Sequence, residues 1–365
     1  MNKSRWIVLA ALSGLIVGGS QVFLVVPPPG LSENRQLAEP PTFPHSVGSV
    51  RETTKELELF AQDHFPPRAH LIAWLNWARY RLGYSTVSRV VVGEDGWLFY
   101  NYESFKHFLG LARVDIDEQR RWVKEYQRRQ EYIAGRGGLF VTLIAPQKYT
   151  IYPEKLPGWL VNEGGTETDD LVNAARSAGI TSLVDPRQAL KGARAKPLYG
   201  PFDTHWTGDG AYVAYSMLMD RISTQYPDLK ALPQSDFTTT TPPTWAVPRD
   251  LALMMGIAEW VDTSRVSYSS VPLHEEERTL FLSPRRDSAA PQVFSTDAEG
   301  DRTLLLIRDS FAMELLPLLK KHFKTIVFVH SQDGFFRKDL VERYNPDVVV
   351  LEMIETGLKF VMPPL

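Results

Sequence analysis

From residue 139 onward the chain alternates short, unbroken apolar runs with segments whose apolar residues recur every three or four positions. The runs Leu139 to Ala145, Ile180 to Val184, Leu304 to Ile307, Thr325 to Val329 and Val348 to Leu351 have strand length. They are apolar throughout rather than alternating, as expected of strands covered on both faces. Between them the spacing predicts helices: a charged one after Asp117 to about Ala134, one around Asp169 to Ala178, and one near Lys338 to Tyr344. Another is predicted after Thr207, with Ala211, Tyr215, Leu218, Met219 and Ile222 on its apolar face, and a further one from near Phe311 carries Leu315, Leu316 and Leu319. Strands alternating with helices predict an α/β fold built on a largely parallel sheet, with chemistry placed at the carboxyl ends of the strands.

The pattern before residue 139 differs. Ile7 to Val26 is a run of twenty residues without a charge, preceded by Lys3 and Arg5 and followed by Pro27, Pro28 and Pro29. At about 1.5 Å per residue it could cross a hydrocarbon core of roughly 30 Å. The leading positive charges predict a membrane anchor with Lys3 and Arg5 in the cytoplasm and everything after Pro27 outside it. The alternative is a cleaved signal segment, with Gly18 and Ser20 as the small residues before the cut. Residues 27 to about 50, rich in Pro, Ser and Glu, read as a stalk. Two helices broken at Pro66 and Pro67 follow. Val87 to Tyr100 then reads as two short strands around the turn Glu94-Asp95-Gly96. The expected division is 1–26 as anchor or signal segment, 27–86 as stalk and helical lead, and 87–365 as the α/β domain.

Composition narrows the function classes. Of 365 residues 44% are hydrophobic and 23% charged, which is ordinary for a globular protein. With 40 basic against 43 acidic residues the chain lacks the electrostatic footprint of a nucleic-acid binder. The absence of cysteine excludes disulfides, thiolate zinc sites and a cysteine nucleophile. No carboxylate cage or histidine spacing argues for a metal, His64 and His70 included, and no glycine-rich phosphate loop argues for a nucleotide cofactor.

Two stretches carry candidate chemistry. In Asp203-Thr204-His205-Trp206, Asp and His two apart in an extended turn project to one side, so the carboxylate can hold one ring nitrogen and leave the other for a substrate. A loop in which Asp203 merely satisfies backbone amides has the same spacing. In Leu304 to Phe311 a buried strand runs into Arg308-Asp309-Ser310, which places the Ser310 hydroxyl at the sheet's carboxyl edge beside the free amides of a helix start. A plain helix cap is the alternative there. Together Ser310, His205 and Asp203 supply a nucleophile, a base and a group to orient it. His330, at the end of Thr325 to Val329, is a rival base. Lys148 and Tyr149, just past a strand end, are candidate ligand contacts, Lys by charge and Tyr by stacking or hydroxyl, with a surface lysine next to a packed tyrosine as the alternative; Trp97, Trp159, Trp206 and Trp245 are aromatics able to stack on a ring, most of them expected in the core or at its rim.

These stretches resemble the periplasmic alginate O-acetyltransferase family, whose catalytic domain is similar to the SGNH (GDSL-like) hydrolases with the Asp-His pair placed before the serine. The matching residues are Glu33-Asn34-Arg35, Phe65-Pro66-Pro67-Arg68, Gly93 to Phe99, Ala145-Pro146-Gln147-Lys148 with Tyr152-Pro153, Asp203-Thr204-His205-Trp206 and Asp309-Ser310-Phe311. The resemblance implies an SGNH-hydrolase-like three-layer fold with Ser310 as nucleophile, His205 as base and Asp203 as its partner. Arg308 departs from it, standing where the family usually has Gly. That cation is expected to serve an oxyanion or an acidic sugar, or to lie solvated beside the site.

The expected activity is transfer of acetyl groups to hydroxyls of an exported polysaccharide, alginate-like or another exopolysaccharide, without a cofactor. The resemblance further implies a multispanning membrane acyltransferase as the source of acetyl groups. An acetylesterase using the same three residues, or a non-catalytic polysaccharide-binding scaffold, are the alternatives.

Overall fold

The computed structural model describes residues 36–42, 50–65, 67–162, 164–240, 249–261, 267–269 and 278–364. The apolar run Ile7 to Val26, most of the stalk, and Trp245 lie outside them. Among the described residues no helix is long and apolar enough to cross a membrane.

The chain forms two compact units, Met1–Val92 with Arg249–Asp262, and Gly93–Pro248 with Thr263–Leu365. In the first, helices α1 (Val50–Asp63) and α2 (Arg68–Arg81) are separated where expected, with Pro67 at the start of α2 because proline fits a helix beginning and not its interior. No residue of α1 is buried, and Ala73 alone is buried on α2. A short helix, Asp250–Met255, closes on Gly256 at φ 67°, and Trp77 meets Trp260 edge-on with ring centroids 5.8 Å apart.

The second unit carries the sheet. Its strands are β1 (Leu139–Ala145), β2 (Leu183–Val184), β3 (Thr279–Phe281), β4 (Gln292–Ser295), β5 (Thr303–Arg308), β6 (Thr325–His330) and β7 (Val348–Ile354). They lie in the order β2-β1-β7-β5-β6-β4-β3. The five strands from β2 to β6 in that order pair in parallel, with Val348 opposite Leu139 and Leu304, and Thr325 opposite Thr303. β4 and β3 add an antiparallel edge that the sequence pattern did not predict. Of the run Ile180 to Val184, only Leu183–Val184 pairs as a strand.

Side chains alternate between two cores. Leu139, Val141, Leu143, Leu304, Leu306, Val348 and Val350 face one way and pack with Ala211, Tyr215, Leu218, Met219 and Ile222 of the helix Gly208–Ser223. Phe140, Ile144, Leu305, Ile307, Val349 and Leu351 face the other way. They meet Trp122 and Tyr126 of α3 (Ile116–Ala134), Leu171 of Glu167–Ser177, and Leu340 of Lys338–Tyr344. Two helix layers around one sheet explain why the strands are apolar on both faces. Because the central strands are parallel, the ends of β1, β2, β5 and β7 all reach one edge, and the loops there build the site.

Candidate active site

Ser310 stands two residues past Arg308, the last residue of β5, and is exposed. The segment after it is a single 3-10 turn, Ser310–Met313, followed by a four-residue helix, Leu316–Leu319, rather than the continuous helix predicted from Phe311 onward. Pro317 accounts for the break, since its ring occupies the place of an amide hydrogen. Asp309 caps the turn: its Oδ1 accepts from the Phe311 amide at 2.8 Å, so that amide is not open to an oxyanion. Its Oδ2 accepts from the Ile354 amide at 2.7 Å, tying the end of β5 to the end of β7.

The histidine that faces Ser310 comes from another loop. Thr207 caps the helix Gly208–Ser223 with its side chain accepting from Gly210, as the sequence predicts, and Tyr199 and Trp206 form an isolated antiparallel bridge. Gly210 is required there, because a Cβ on it would stand 2.4 Å from the Leu198 carbonyl oxygen. The bridge leaves residues 200–205 as a tight excursion carrying Asp203, 2% exposed, and His205. Asp203 Oδ1 accepts from His205 Nδ1 at 2.8 Å and from the His205 amide at 2.8 Å. His205 Nε2 lies 2.7 Å from Ser310 Oγ. An ionised carboxylate can only accept, so Nδ1 carries the hydrogen and Nε2 is left to take the serine proton. The imidazole packs against Phe311 at 4.9 Å between centroids, and the Trp206 indole donates to the Phe311 carbonyl at 2.9 Å, which locks the two loops together. Trp206 is therefore a core residue and not a stacking surface. His330, the rival base, is engaged with its own turn, Nδ1 accepting from the Gln332 amide at 3.1 Å.

The expected substrate cations are placed elsewhere. Lys148 is 3% exposed, and its ammonium donates to the carbonyls of Gly200, Pro201 and Asp203 at 3.1, 3.2 and 2.8 Å while lying over the Trp97 and Phe99 rings. Arg308 is 1% exposed; it donates to the Ser288 and Asp309 carbonyls and lies over the Phe328 ring at 4.4 Å. Burial lowers its pKa from the usual arginine value. Neither reaches out toward a sugar, because each guanidinium or ammonium is solvated internally by carbonyl oxygens. Tyr149 is buried with its ring edge-on to Phe105 and Phe108.

Glu352, which the sequence reading passed over, lies fully buried on β7 with Oε2 accepting from the Asp309 amide at 3.1 Å. Burial, then the charge of Asp309, pushes its carboxyl well above the usual carboxylate range. Burial also raises Asp309. The signal in the sequence was a single acid inside the apolar run Val348 to Ile354.

A three-layer α/β unit with a serine at a strand end and an Asp-His pair on a neighbouring loop defines an SGNH-hydrolase-like domain. The family model "SGNH hydrolase-like domain, acetyltransferase AlgX" matches residues 90–340, and the chain belongs to that family. It is accordingly an acyltransferase. Among solved structures, Bacillus cereus PatB1 with a sulfonyl adduct is similar at 14% identity and a TM-score of 0.56, covering 74% of this chain and 97% of that one. A DHHW family protein from Eubacterium siraeum aligns at 14% identity and a TM-score of 0.51, covering 74% and 91%. The O-acetyltransferase domain of Pseudomonas putida AlgJ aligns at 20% identity and a TM-score of 0.49, covering 74% and 92%. No curated protein matches the sequence.

Proposed function

We propose that the protein transfers acetyl groups onto hydroxyls of an exported polysaccharide through an acetyl-Ser310 intermediate. The observation that carries this is the continuous chain from Ser310 Oγ through His205 to the buried Asp203 in a domain of an acetyltransferase family. His205 Nε2 takes the serine proton as Oγ attacks the acetyl carbonyl of a donor ester, and the imidazolium returns that proton to the departing alkoxide. The acceptor sugar hydroxyl then attacks acetyl-Ser310, gives its proton to His205, and frees the serine. Asp203 holds the ring in one tautomer and stabilises its charged form.

The donor in this reading is an acetyl carrier presented by a multispanning membrane acyltransferase, because an exported domain has no supply of acetyl-CoA. The run Ile7 to Val26 would hold the enzyme on the inner membrane with its domain in the periplasm. Mass spectrometry after exposure to an aryl acetate tests the intermediate: a gain of one acetyl group on the Ser310 peptide is expected, and none on Ser310→Ala. Transfer is tested by adding an oligosaccharide acceptor. Acetylated sugar in place of free acetate supports it, and acetate release unchanged by any acceptor identifies an esterase instead.

A further inference from the structure

A second feature lies on the same sheet edge. A cavity of about 760 Å³ opens past the ends of β1 and β2, walled by Phe108, Tyr149, Pro157, Leu160, Gln188 and Lys191. Adjacent strands are spaced about 4.8 Å apart, so β1 and β2 stand roughly 10 to 14 Å from β5, which bears Ser310. A ligand there is remote from the reacting hydroxyl, and only a chain of several sugar rings reaches both.

Tyr149 points to what the cavity holds. The residue is 2% exposed and its ring is fixed by Phe105 and Phe108 at 5.7 and 5.4 Å. Its hydroxyl has no hydrogen-bond partner among the described residues and is not sealed from solvent, so it opens onto the cavity that the residue lines, whereas the other buried tyrosines, Tyr126, Tyr152, Tyr199, Tyr215 and Tyr226, each have one. A phenol fixed in place with no protein partner is free to meet a ligand or water in the cavity. Burial, together with the charges of Glu355 and Glu167, holds its pKa well above the ordinary phenol value, so it meets that ligand as a donor. At the rim, Trp159 is 71% exposed, set between Gly158 and Leu160, which both line the cavity. An exposed indole beside a pocket with a few placed polar groups is the composition of a saccharide site.

The charges say which saccharide. Arg187 is held by Asp185 at 2.8 Å and by Asp169 at 2.7 Å, and Glu154 is held by Arg194 at 3.0 Å. Of the other ionic groups on the wall, Glu94 and Lys191 have opposite signs. Nearer the nucleophile, the cations of Lys148 and Arg308 are turned inward onto carbonyls. On the turn beside Ser288, Arg285 is paired with Asp333 at 2.5 Å and Arg286 donates to the Ser283 and Arg285 carbonyls. A uronic-acid polymer would bring one carboxylate per ring to a wall with no surplus of positive charge.

We infer that this cavity is a remote subsite for a neutral hexopyranose chain, gripped by the Tyr149 hydroxyl and the Trp159 ring, and that it selects uncharged acceptors over uronates. The inference rests on the acyl-transfer reading for the purpose of the grip, but the grip itself is measured without turnover. Full-length Ser310→Ala protein in detergent is titrated calorimetrically with β-1,4-mannohexaose, cellohexaose and the β-1,4-linked mannuronate hexamer. The first and third differ only in oxidation at C6. Binding of at least one neutral hexamer is expected, weakened about tenfold by Tyr149→Phe and similarly by Trp159→Ala, while circular dichroism shows both variants folded. Stronger binding of the mannuronate hexamer, no binding of either neutral one, or indifference to both substitutions overturns the subsite. Binding without any acetylated product would instead overturn the transferase reading and leave the subsite standing.

Discussion

The Lys148 ammonium lies 2.8 Å from the main-chain oxygen of Asp203, the residue whose side chain holds His205. Two further carbonyls of the same loop, Gly200 and Pro201, complete its solvation, and the Leu98 amide donates to the Pro201 oxygen at 2.9 Å from the other side. Lys148 follows β1 and the Asp203 loop follows no strand, so this buried cation joins the Trp206–Phe311 hydrogen bond in registering the loop against the sheet. Lys148→Met is expected to lower kcat about a hundredfold with little change in KM, since a displacement near 1 Å in the base is enough for that loss. A saccharide-binding lysine gives the opposite split, a raised KM with kcat preserved, and steady-state kinetics with a soluble oligosaccharide acceptor separates the two.

Asp203 offers a second test. Its carboxylate takes both the Nδ1 hydrogen and the main-chain amide of His205, and it is almost wholly buried. An amide in its place can present a hydrogen to Nδ1, turning Nε2 into a donor that cannot accept the serine proton. Asp203→Asn is therefore expected to keep the fold and lose on the order of 10⁴ in kcat. Circular dichroism checks the fold and acetyl-Ser310 accumulation checks the loss. Near-normal acylation by this variant would remove Asp203 from the machinery.

Four of the strands, β1, β5, β6 and β7, were legible because burial on both faces demands unbroken apolar runs. The edge pair β3 and β4 was not, since Thr279-Leu280-Phe281 and Gln292 to Ser295 are short, partly polar and only half covered. Ser310, His205 and Asp203 could be found from their positions relative to strand and helix ends. The direction of Lys148 and Arg308 could not, because a cation at a strand end reads the same whether water or a ring of carbonyls solvates it. That choice is made by tertiary packing. The cluster of Ser310, His205 and Asp203 was thus legible in the sequence, and the inward turn of the two cations beside it was not.

Glu352 supplies a test by pH. Burial and the charge of Asp309 hold its carboxyl well above the range it has in the unfolded chain, while its Oε2 accepts from the Asp309 amide. A folded pKa raised above the unfolded one gives stability that is complete at low pH and is lost as pH rises toward the folded value. Glutamine keeps the acceptor for the Asp309 amide and a donor for the Asp309 carboxylate without binding a proton. Glu352→Gln is thus expected to melt progressively higher than wild type as pH rises from 5 to 8, with acylation of Ser310 retained. A difference in Tm that does not move with pH would mean that Glu352 is ionised in the native state. Glu352→Leu leaves the Asp309 amide unpaired and is expected to lower Tm at every pH.

His322 predicts pH dependence of the opposite sign, far from the chemistry. It lies after the helix Leu316–Leu319, and its Nε2 is 2.6 Å from the Tyr215 hydroxyl, which itself accepts from the Leu232 amide at 2.9 Å. With that hydroxyl donating its one hydrogen to Nε2, the ring must be neutral with its hydrogen on Nδ1. Burial lowers its pKa from 6.5 to about 4. Above pH 6.5 neither the folded nor the unfolded state carries the proton, and the stability is intact. Between 6.5 and about 4 the unfolded chain binds a proton that the native state refuses, so stability falls with pH by up to about 3 kcal/mol. Urea denaturation at pH 7.5 and 4.5 is expected to show that loss in wild type. In His322→Gln, where the amide oxygen accepts from Tyr215 and nothing titrates, most of this part of the loss should vanish, even if the variant is somewhat less stable at pH 7.5. An equal fall in both proteins would assign the acid sensitivity to the carboxylates instead.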